Sequence, residues 1–263
     1  MSASRHRLAS RLNSRAARPW LWLAGCLLAV AYAGLYATEV LPLSKRWQAI
    51  YSNGGIPDGY GIRGIDVSHY QGDIDWERVS HATIKGDPVA FCIIKGTEGR
   101  EMDDANLDFN LPTARRFGLT VGAYHYFKPN VPAADQAANY ISHVRLEPGD
   151  LAPVLDIEEA GALDTTDLRE AALTWLLIVE DHYGKTPILY ANPKFRRRYL
   201  NTPDFDRFPY WVAHYYVDSP VSYVEWFFWQ HTDRGRLTGI RGFVDLDVFN
   251  GSMYALKQLC LPR

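Results

Sequence analysis

From residue 61 onward, short apolar runs alternate with stretches of helical periodicity, and this alternation limits the fold more than any other feature. Runs at 64–67, 89–95, 120–127 and 153–158 each read as a strand followed by a helix, and further strands are expected at 187–191, 210–215, 224–230 and 243–248. Alternating strands and helices favour a parallel sheet, and about eight strands in this order favour an α/β barrel with helices outside. The last third departs from the pattern. Residues 216–223 and 231–242 leave little room for a full helix, so the end of the barrel is expected to be strand-rich. An open doubly wound sheet is the alternative, but no Gly-x-Gly-x-x-Gly opens a helix after the first strand. The clearest helix is expected to begin near Asp167, with Glu170 three residues on as a capping-box-like pair. It carries Leu168, Ala171, Ala172, Trp175, Leu176 and Val179 at helical spacing and ends at Gly184.

With 263 residues, 47% of them hydrophobic and 22% charged, the chain can bury one substantial core. The formal charge of -2 conceals an asymmetry. Residues 1–18 hold Arg5, Arg7, Arg11, Arg15 and Arg18 and no acid; removing those five from the 28 basic residues leaves 23 against 30 acids, a body of net charge -7. No Lys/Arg-rich run interleaved with aromatics follows, so a nucleic-acid partner is not expected. The arginines instead precede residues 19–38, an uncharged run of twenty residues with Trp20, Trp22, Tyr32 and Tyr36 toward its ends. Such a run is long enough to span a bilayer as a helix, and arginines before it predict a cytoplasmic N-terminus. Three other readings compete: a cleaved signal at Ala31-Tyr32-Ala33, a lipoprotein box at Leu23-Ala24-Gly25-Cys26, and a buried globular helix. The apolar run continues past Cys26, which weighs against the lipoprotein box. The expected organisation is a basic cytoplasmic segment (1–18), a single-pass anchor (19–38), a linker (39–60) and a barrel domain (61–263) on the periplasmic or extracellular side. The linker follows from Pro42, Ser44, Lys45, Arg46 and Asn53-Gly54-Gly55, which break any long period. Cys26 belongs to the apolar run, Cys92 reads as a small buried hydrophobe, and a Cys92–Cys260 disulfide is chemically allowed outside the cytoplasm.

The segment that carries chemistry is Ala152-Pro153-Val154-Leu155-Asp156-Ile157-Glu158-Glu159. In a strand, Asp156 and Glu158 share one face about 6.5 to 7 Å apart, so an apolar strand ends in two carboxylates able to flank one reaction centre. The pair could also stand as solvated residues where the strand becomes a loop. Crowding two like charges, however, pushes at least one pKa upward, which an acid catalyst uses. Further acids end other strands: Asp66, followed by Ser68-His69-Tyr70-Gln71-Gly72, and Asp245 with Asp247. If all three strands are parallel, these acids meet at the C-terminal mouth of the barrel. Turn formation at Asp66 and a rim salt bridge at Asp245 and Asp247 are the bland alternatives. Tyr124, Tyr126, Tyr190, Trp211, His214, Tyr215, Trp226 and Trp229 fall at or near expected strand ends, and flat rings with polar edges suit sugars. No metal-ligand spacing and no Gly-x-Ser-x-Gly elbow is present, so no cofactor is expected.

The motifs GIDVSHYQGDIDW, FCIIKGTEG, GLTVGAYHYF, PVLDIEE, ILYAN, YWVAHY and VDLDVFNG, in this order over residues 61–251, resemble family 25 glycoside hydrolases, the lysozyme-type N-acetylmuramidases. The resemblance implies a modified TIM-like barrel with five helix-flanked strands and three further strands. It also implies cleavage of the β-1,4 bond after N-acetylmuramic acid in peptidoglycan, with peptidoglycan strands as the partner of an expected monomer. Carried over by position, it makes Glu158 the proton donor, Asp156 its partner, and Asp66 and Asp245 further site acids. Tyr124, Tyr126, Tyr190, Trp211 and Gln230 are expected to bind substrate. A non-catalytic peptidoglycan-binding envelope protein is the competing class. The presence of every acid implied by the resemblance argues against it.

Overall fold

The computed structural model describes residues 55–262, together with Val30 and Tyr32. The expected anchor at 19–38 otherwise lies outside the described residues, as do residues 1–18 and most of the linker; among the described residues, no helix is long and apolar enough to cross a membrane. The fold described here belongs to the unit Ala49–Arg263.

Eight strands close into a barrel: β1 (Ile62–Val67), β2 (Asp87–Glu98), β3 (Thr120–Tyr126), β4 (Val154–Asp156), β5 (Ile188–Ala191), β6 (Tyr210–Ala213), β7 (Phe228–Gly235) and β8 (Val244–Phe249). Each of β1 through β7 is parallel to its neighbour along the chain. Only β8 runs the other way, antiparallel to both β7 and β1, and it closes the ring. The expectation that the strands bearing Asp66, Asp156 and Asp245 are all parallel is therefore corrected. Residues 236–243 between β7 and β8 are too few for a parallel crossover, which needs about a dozen residues, so the chain can only turn back.

The five strands followed by helices are β1 to β5. Their helices are α1 (Trp76–Ser80), α2 (Leu107–Arg116), α3 (Ala133–His143), α4 (Thr165–Tyr183) and α5 (Pro193–Tyr199). Two short helices follow, α6 (Pro203–Asp206) and α7 (Met253–Gln258). The longest, α4, starts earlier than the capping-box reading places it: Asp164 is the N-cap and accepts from Thr166 N at 2.8 Å and Asp167 N at 2.9 Å. A carboxylate in an Asp-x-Thr-Asp stretch caps as well as a Ser or Thr, and the first available one wins. Leu168, Ala172, Trp175, Leu176 and Val179 are buried as expected, and Gly184 ends the helix in the left-handed region at φ 63°.

Two apolar layers result from the alternation of side chains along each strand. Outward residues such as Ile65, Cys92, Ile94, Leu155, Leu189 and Val212 pack under the helices. Inward residues such as Phe91, Ile93, Val154, Ile188 and Phe228 fill the barrel itself. At its floor the Phe91 and Phe228 rings meet edge to face at 5.3 Å, and Phe228 meets Phe249 at 5.0 Å. Gly64 makes this possible, because a Cβ there would stand 2.2 Å from the Phe91 ring. Residues after α7 seal the bottom: Ala152 N donates to Leu259 O and Leu261 N to Asp150 O. Ile56 and Tyr60, on the linker side of residue 61, already lie against the outer layer, with Tyr60 packed on Trp226 and Trp229. Cys92 and Cys260 are both buried, and they sit in different apolar layers.

Candidate active site

Above the aromatic floor the barrel interior turns polar. Its mouth is lined by Asp66, Tyr124, Asp156, Glu158, Tyr190, Trp211, Tyr215, Gln230 and Asp245. Asp66 lies near the end of β1 and Asp156 at the end of β4, whereas Asp245 lies at the beginning of β8. The reversed direction of β8 is what brings its beginning to the same end of the barrel, and Asp66 and Asp245 are register partners across the β1–β8 pair. Glu158 is not a strand residue. β4 stops at Asp156, although Phe127 N still donates to Asp156 O and Ile157 N to Tyr190 O, so the backbone leaves the sheet with Glu158 exposed at the rim.

A hydrogen-bonded chain joins the walls. The hydroxyls of Tyr190 and Tyr215 both donate to Gln230 Oε1, at 2.7 and 2.6 Å, and Gln230 Nε2 donates to Asp66 Oδ2 at 2.6 Å. With its amide oxygen used by two phenols, Gln230 is fixed in the orientation that presents its N–H to the carboxylate. On the next layer down, Trp211 Nε1 donates to Asp247 Oδ1 at 2.8 Å, and Tyr190 and Trp211 pack edge to face at 4.6 Å. Asp156 Oδ1 and Asp247 Oδ2 are buried and receive no N–H or hydroxyl donor, while the carboxyls of Asp156 and Asp247 lie within hydrogen-bonding reach of those of Glu158 and Asp66.

Every acid here is pushed toward its neutral form. Burial and then the charge of Asp247 raise Asp66 far above the ordinary carboxylate range. Burial and then the neighbouring Glu158 and Asp66 do the same to Asp156, against a smaller opposing pull from Lys95. Asp245 is raised to about 9, by burial first and Asp66 second, and Asp247 to about 8 by burial. Glu158 is exposed as a residue, yet the cavity wall still desolvates its carboxyl and Glu159 adds repulsion, so it too is raised. The mouth thus holds several acids that share fewer charges than they would carry in water, a condition suited to giving and storing protons near neutral pH. Among the described residues no cluster of three or more His, Cys, Asp or Glu is arranged to hold a metal ion.

The family model for glycosyl hydrolases family 25 matches residues 65–240. The chain belongs to this family. It is therefore a glycoside hydrolase. Among curated relatives it is 43% identical over 203 residues to the uncharacterized protein YegX of Escherichia coli K12, covering 77% of this chain and 74% of that one. It is 32% identical over 228 residues to lysozyme M1 of Streptomyces globisporus, covering 78% and 73%. Among solved structures, the bacterial lysozyme of Streptomyces coelicolor superposes with a TM-score of 0.70 at 30% identity, covering 77% of this chain and 98% of that one. The closed mixed barrel of this glycoside hydrolase agrees with that likeness.

Of the residues given a catalytic or substrate-binding role in the sequence, eight line the mouth: Asp66, Tyr124, Asp156, Glu158, Tyr190, Trp211, Gln230 and Asp245. Tyr126 does not. Its ring stands at the rim between two ammonium groups, Lys128 Nζ at 4.6 Å and Lys95 Nζ at 5.4 Å from its centroid. Register alone does not set it apart, since Tyr126 is level with Asp156, which does line the mouth; what distinguishes it is the contact of its ring with the Lys95 and Lys128 ammonium groups. Two further members, Tyr215 and Asp247, were noted in the sequence as a strand-end aromatic and a late strand acid but given no catalytic or substrate-binding role. Tyr215 follows β6 and reaches back to Gln230, and Asp247 is an interior acid rather than half of a rim salt bridge. The signal for Asp247 was available: Asp245 and Asp247 share one face of a strand, so if one faces the barrel interior both do.

The Asp247 environment has a consequence for stability. A carboxyl raised to about 8 in the fold binds a proton that the unfolded chain has released, so its contribution is fully present below about pH 4 and is lost as pH rises through about 8. Asp247→Asn keeps an acceptor for Trp211 without the titration. Urea denaturation should show wild type losing stability relative to this variant between pH 5 and pH 8 by more than about 1 kcal/mol, the worth of roughly one pKa unit. Parallel pH slopes in the two proteins would contradict the shift.

Proposed function

We propose that this enzyme hydrolyses the β-1,4 bond between N-acetylmuramic acid and N-acetylglucosamine in peptidoglycan, with Glu158 as general acid and Asp156 acting on the substrate's acetamido group. Membership of family 25 and the lysozyme relatives support peptidoglycan as the substrate class. The observation that carries the division of labour is Oδ1 of Asp156, which receives no N–H or hydroxyl donor and is buried at the end of β4 beside the rim position of Glu158. A buried acceptor without a donor is costly when the site is empty and is satisfied by an N–H brought in by the ligand. An acetamido N–H supplies one.

The two carboxyls then separate in role. Donation from the acetamido N–H favours the ionised form of Asp156 and leaves the pair's proton on Glu158, the outer group, which faces the leaving glycosidic oxygen. Held by Asp156, the acetamido oxygen attacks the anomeric carbon as that bond breaks, and Glu158, now a carboxylate, takes a proton from the water that opens the resulting ring. Asp66, braced by Gln230, Tyr190 and Tyr215, and Asp245 beside it hold sugar or water opposite, while Tyr124 and Trp211 line the ring's path. The arginine-flanked apolar run at 19–38 anchors the enzyme so that the barrel works outside the cytoplasmic membrane on the wall.

Three outcomes are expected. Glu158→Gln should lower dye release from purified cell walls by about 10² to 10⁴ while glycan binding persists, since the amide keeps the shape and loses the proton. Activity within a few-fold of wild type would remove Glu158 from the role, and tight binding without turnover in the unmutated chain would indicate the non-catalytic alternative. NMR of fresh digests should show the β-anomer first, because two displacements at the anomeric carbon retain configuration; α first would point to a single attack by water and make Asp66 or Asp245 the base. Fractionation of cells should leave the full chain in the membrane with a reporter fused after Tyr60 active outside the cytoplasm. A soluble form beginning near Gly34 would instead identify a cleaved signal.

A further inference from the structure

The mouth of the barrel does not end at Glu158. A second cleft, of about 480 Å³ against about 130 Å³ for the acidic cavity, shares Glu158 and Tyr215 with that cavity and continues outward past Pro193, Lys194, Arg197, Val221 and Tyr223. The electrostatics reverse along this path. On one side of Glu158 lie Asp66, Asp156 and Asp245, and on the other stand two cations contributed by α5. A cation-bearing wall is notable on a body whose net charge is -7, and none of the ion pairs in the described structure involves Lys194 or Arg197.

Arg197 is moreover held in place without being neutralised. Its Nη1 donates to the Tyr223 hydroxyl at 2.8 Å, and its guanidinium lies 5.3 Å from the centre of the same ring. Fixing an arginine on an aromatic face lowers the entropy it loses on meeting an anion and leaves its remaining N–H donors free. The rest of the cleft is not a phosphate cradle. Pro193, Ala213 and Val221 give it apolar patches of the size of methyl groups.

We infer that this cleft binds the anionic stem peptide of the substrate, with Lys194 and Arg197 engaging its carboxylates and the apolar patches receiving its alanine side chains. The inference rests on the muramidase reading above. In that substrate the peptide leaves from the lactyl group of the same sugar whose bond is cut, so its first residues must emerge within about one sugar ring of Glu158. The only charge they offer is that of their carboxylates until a diamino acid is reached. A cleft opening at the catalytic rim, lined by two cations and small apolar surfaces, matches that chemistry in position and in kind.

The test separates binding from turnover. N-acetylmuramyl-L-alanyl-D-glutamate and its uncharged diamide are titrated into the full chain, wild type and K194Q/R197Q. Wild type should prefer the charged ligand about five- to tenfold, the preference should shrink as salt is raised, and the double variant should lose it. K194R/R197K, which keeps both charges, should retain most of it. Equal affinity for the two ligands in wild type, or an undiminished preference in K194Q/R197Q, would overturn the inference. So would inorganic phosphate displacing the charged ligand at equal concentration, which would assign the cations to a phosphodiester. In parallel, the ratio of kcat/KM on peptide-bearing over peptide-stripped glycan strands should fall about five- to tenfold in K194Q/R197Q, mostly through KM. A chain that shows the binding preference but releases no reducing ends from either glycan would fail as a muramidase while the cleft assignment stands.

Discussion

Five carboxyl groups, those of Asp66, Asp156, Glu158, Asp245 and Asp247, are crowded at or just below the mouth of one barrel, and the closure of β8 onto β1 is what holds them there against their mutual repulsion. Left to water these side chains would ionise and separate. Inside the barrel they cannot separate, so they yield by keeping protons instead, and burial outranks neighbouring charge as the cause at each of them. The chemistry of the site and its cost in stability come from the same circumstance.

Such a cluster needs a frame that does not relax. The floor of interlocked phenylalanine rings beneath it admits no collapse, because the space that would allow movement is already occupied up to the missing side chain of Gly64. The chain of Tyr190, Tyr215 and Gln230 ties β5, the segment after β6, and β7 to Asp66 on β1, so that four parts of the barrel share one hydrogen-bond pattern. Gln230 is the member on which the network depends: Gln230 Oε1 keeps one phenol donor if the other is lost, whereas without Gln230 both phenols and Asp66 lose this partner. Of the five acids, only Glu158, beyond the last strand residue of β4, is exposed at the rim.

On the proposed reading, the outer cleft gives the site a direction. A glycan strand is nearly uniform along its length, whereas its peptide appendages are not, and a surface that passes from acidic at the cavity to basic at α5 distinguishes one side of the strand from the other. Polarity of this kind sets orientation and register more than raw affinity.

Period and residue type determined much of this protein from the sequence alone. Eight apolar runs were legible by period, four of them with helices after them and a fifth helix only through the family resemblance, and Leu168 through Val179 mark one buried helical stripe. Asp156 and Glu158 were legible because a charged pair ending an apolar strand is a local anomaly. What sequence could not determine was direction and packing. β8 runs backward because too few residues precede it for a crossover, and only that reversal places Asp245 beside Asp66. Side-chain packing decided which aromatic rings line the cavity: Tyr124 does, whereas Tyr126, two residues on and level with Asp156, lies against the Lys95 and Lys128 ammonium groups. The start of α4 moved to Asp164 because several residues near it could cap, and the one that wins is chosen by the loop that delivers it. Strand and helix periods are written in each segment by itself, whereas the meeting of residues some 180 positions apart is settled only when the sheet closes.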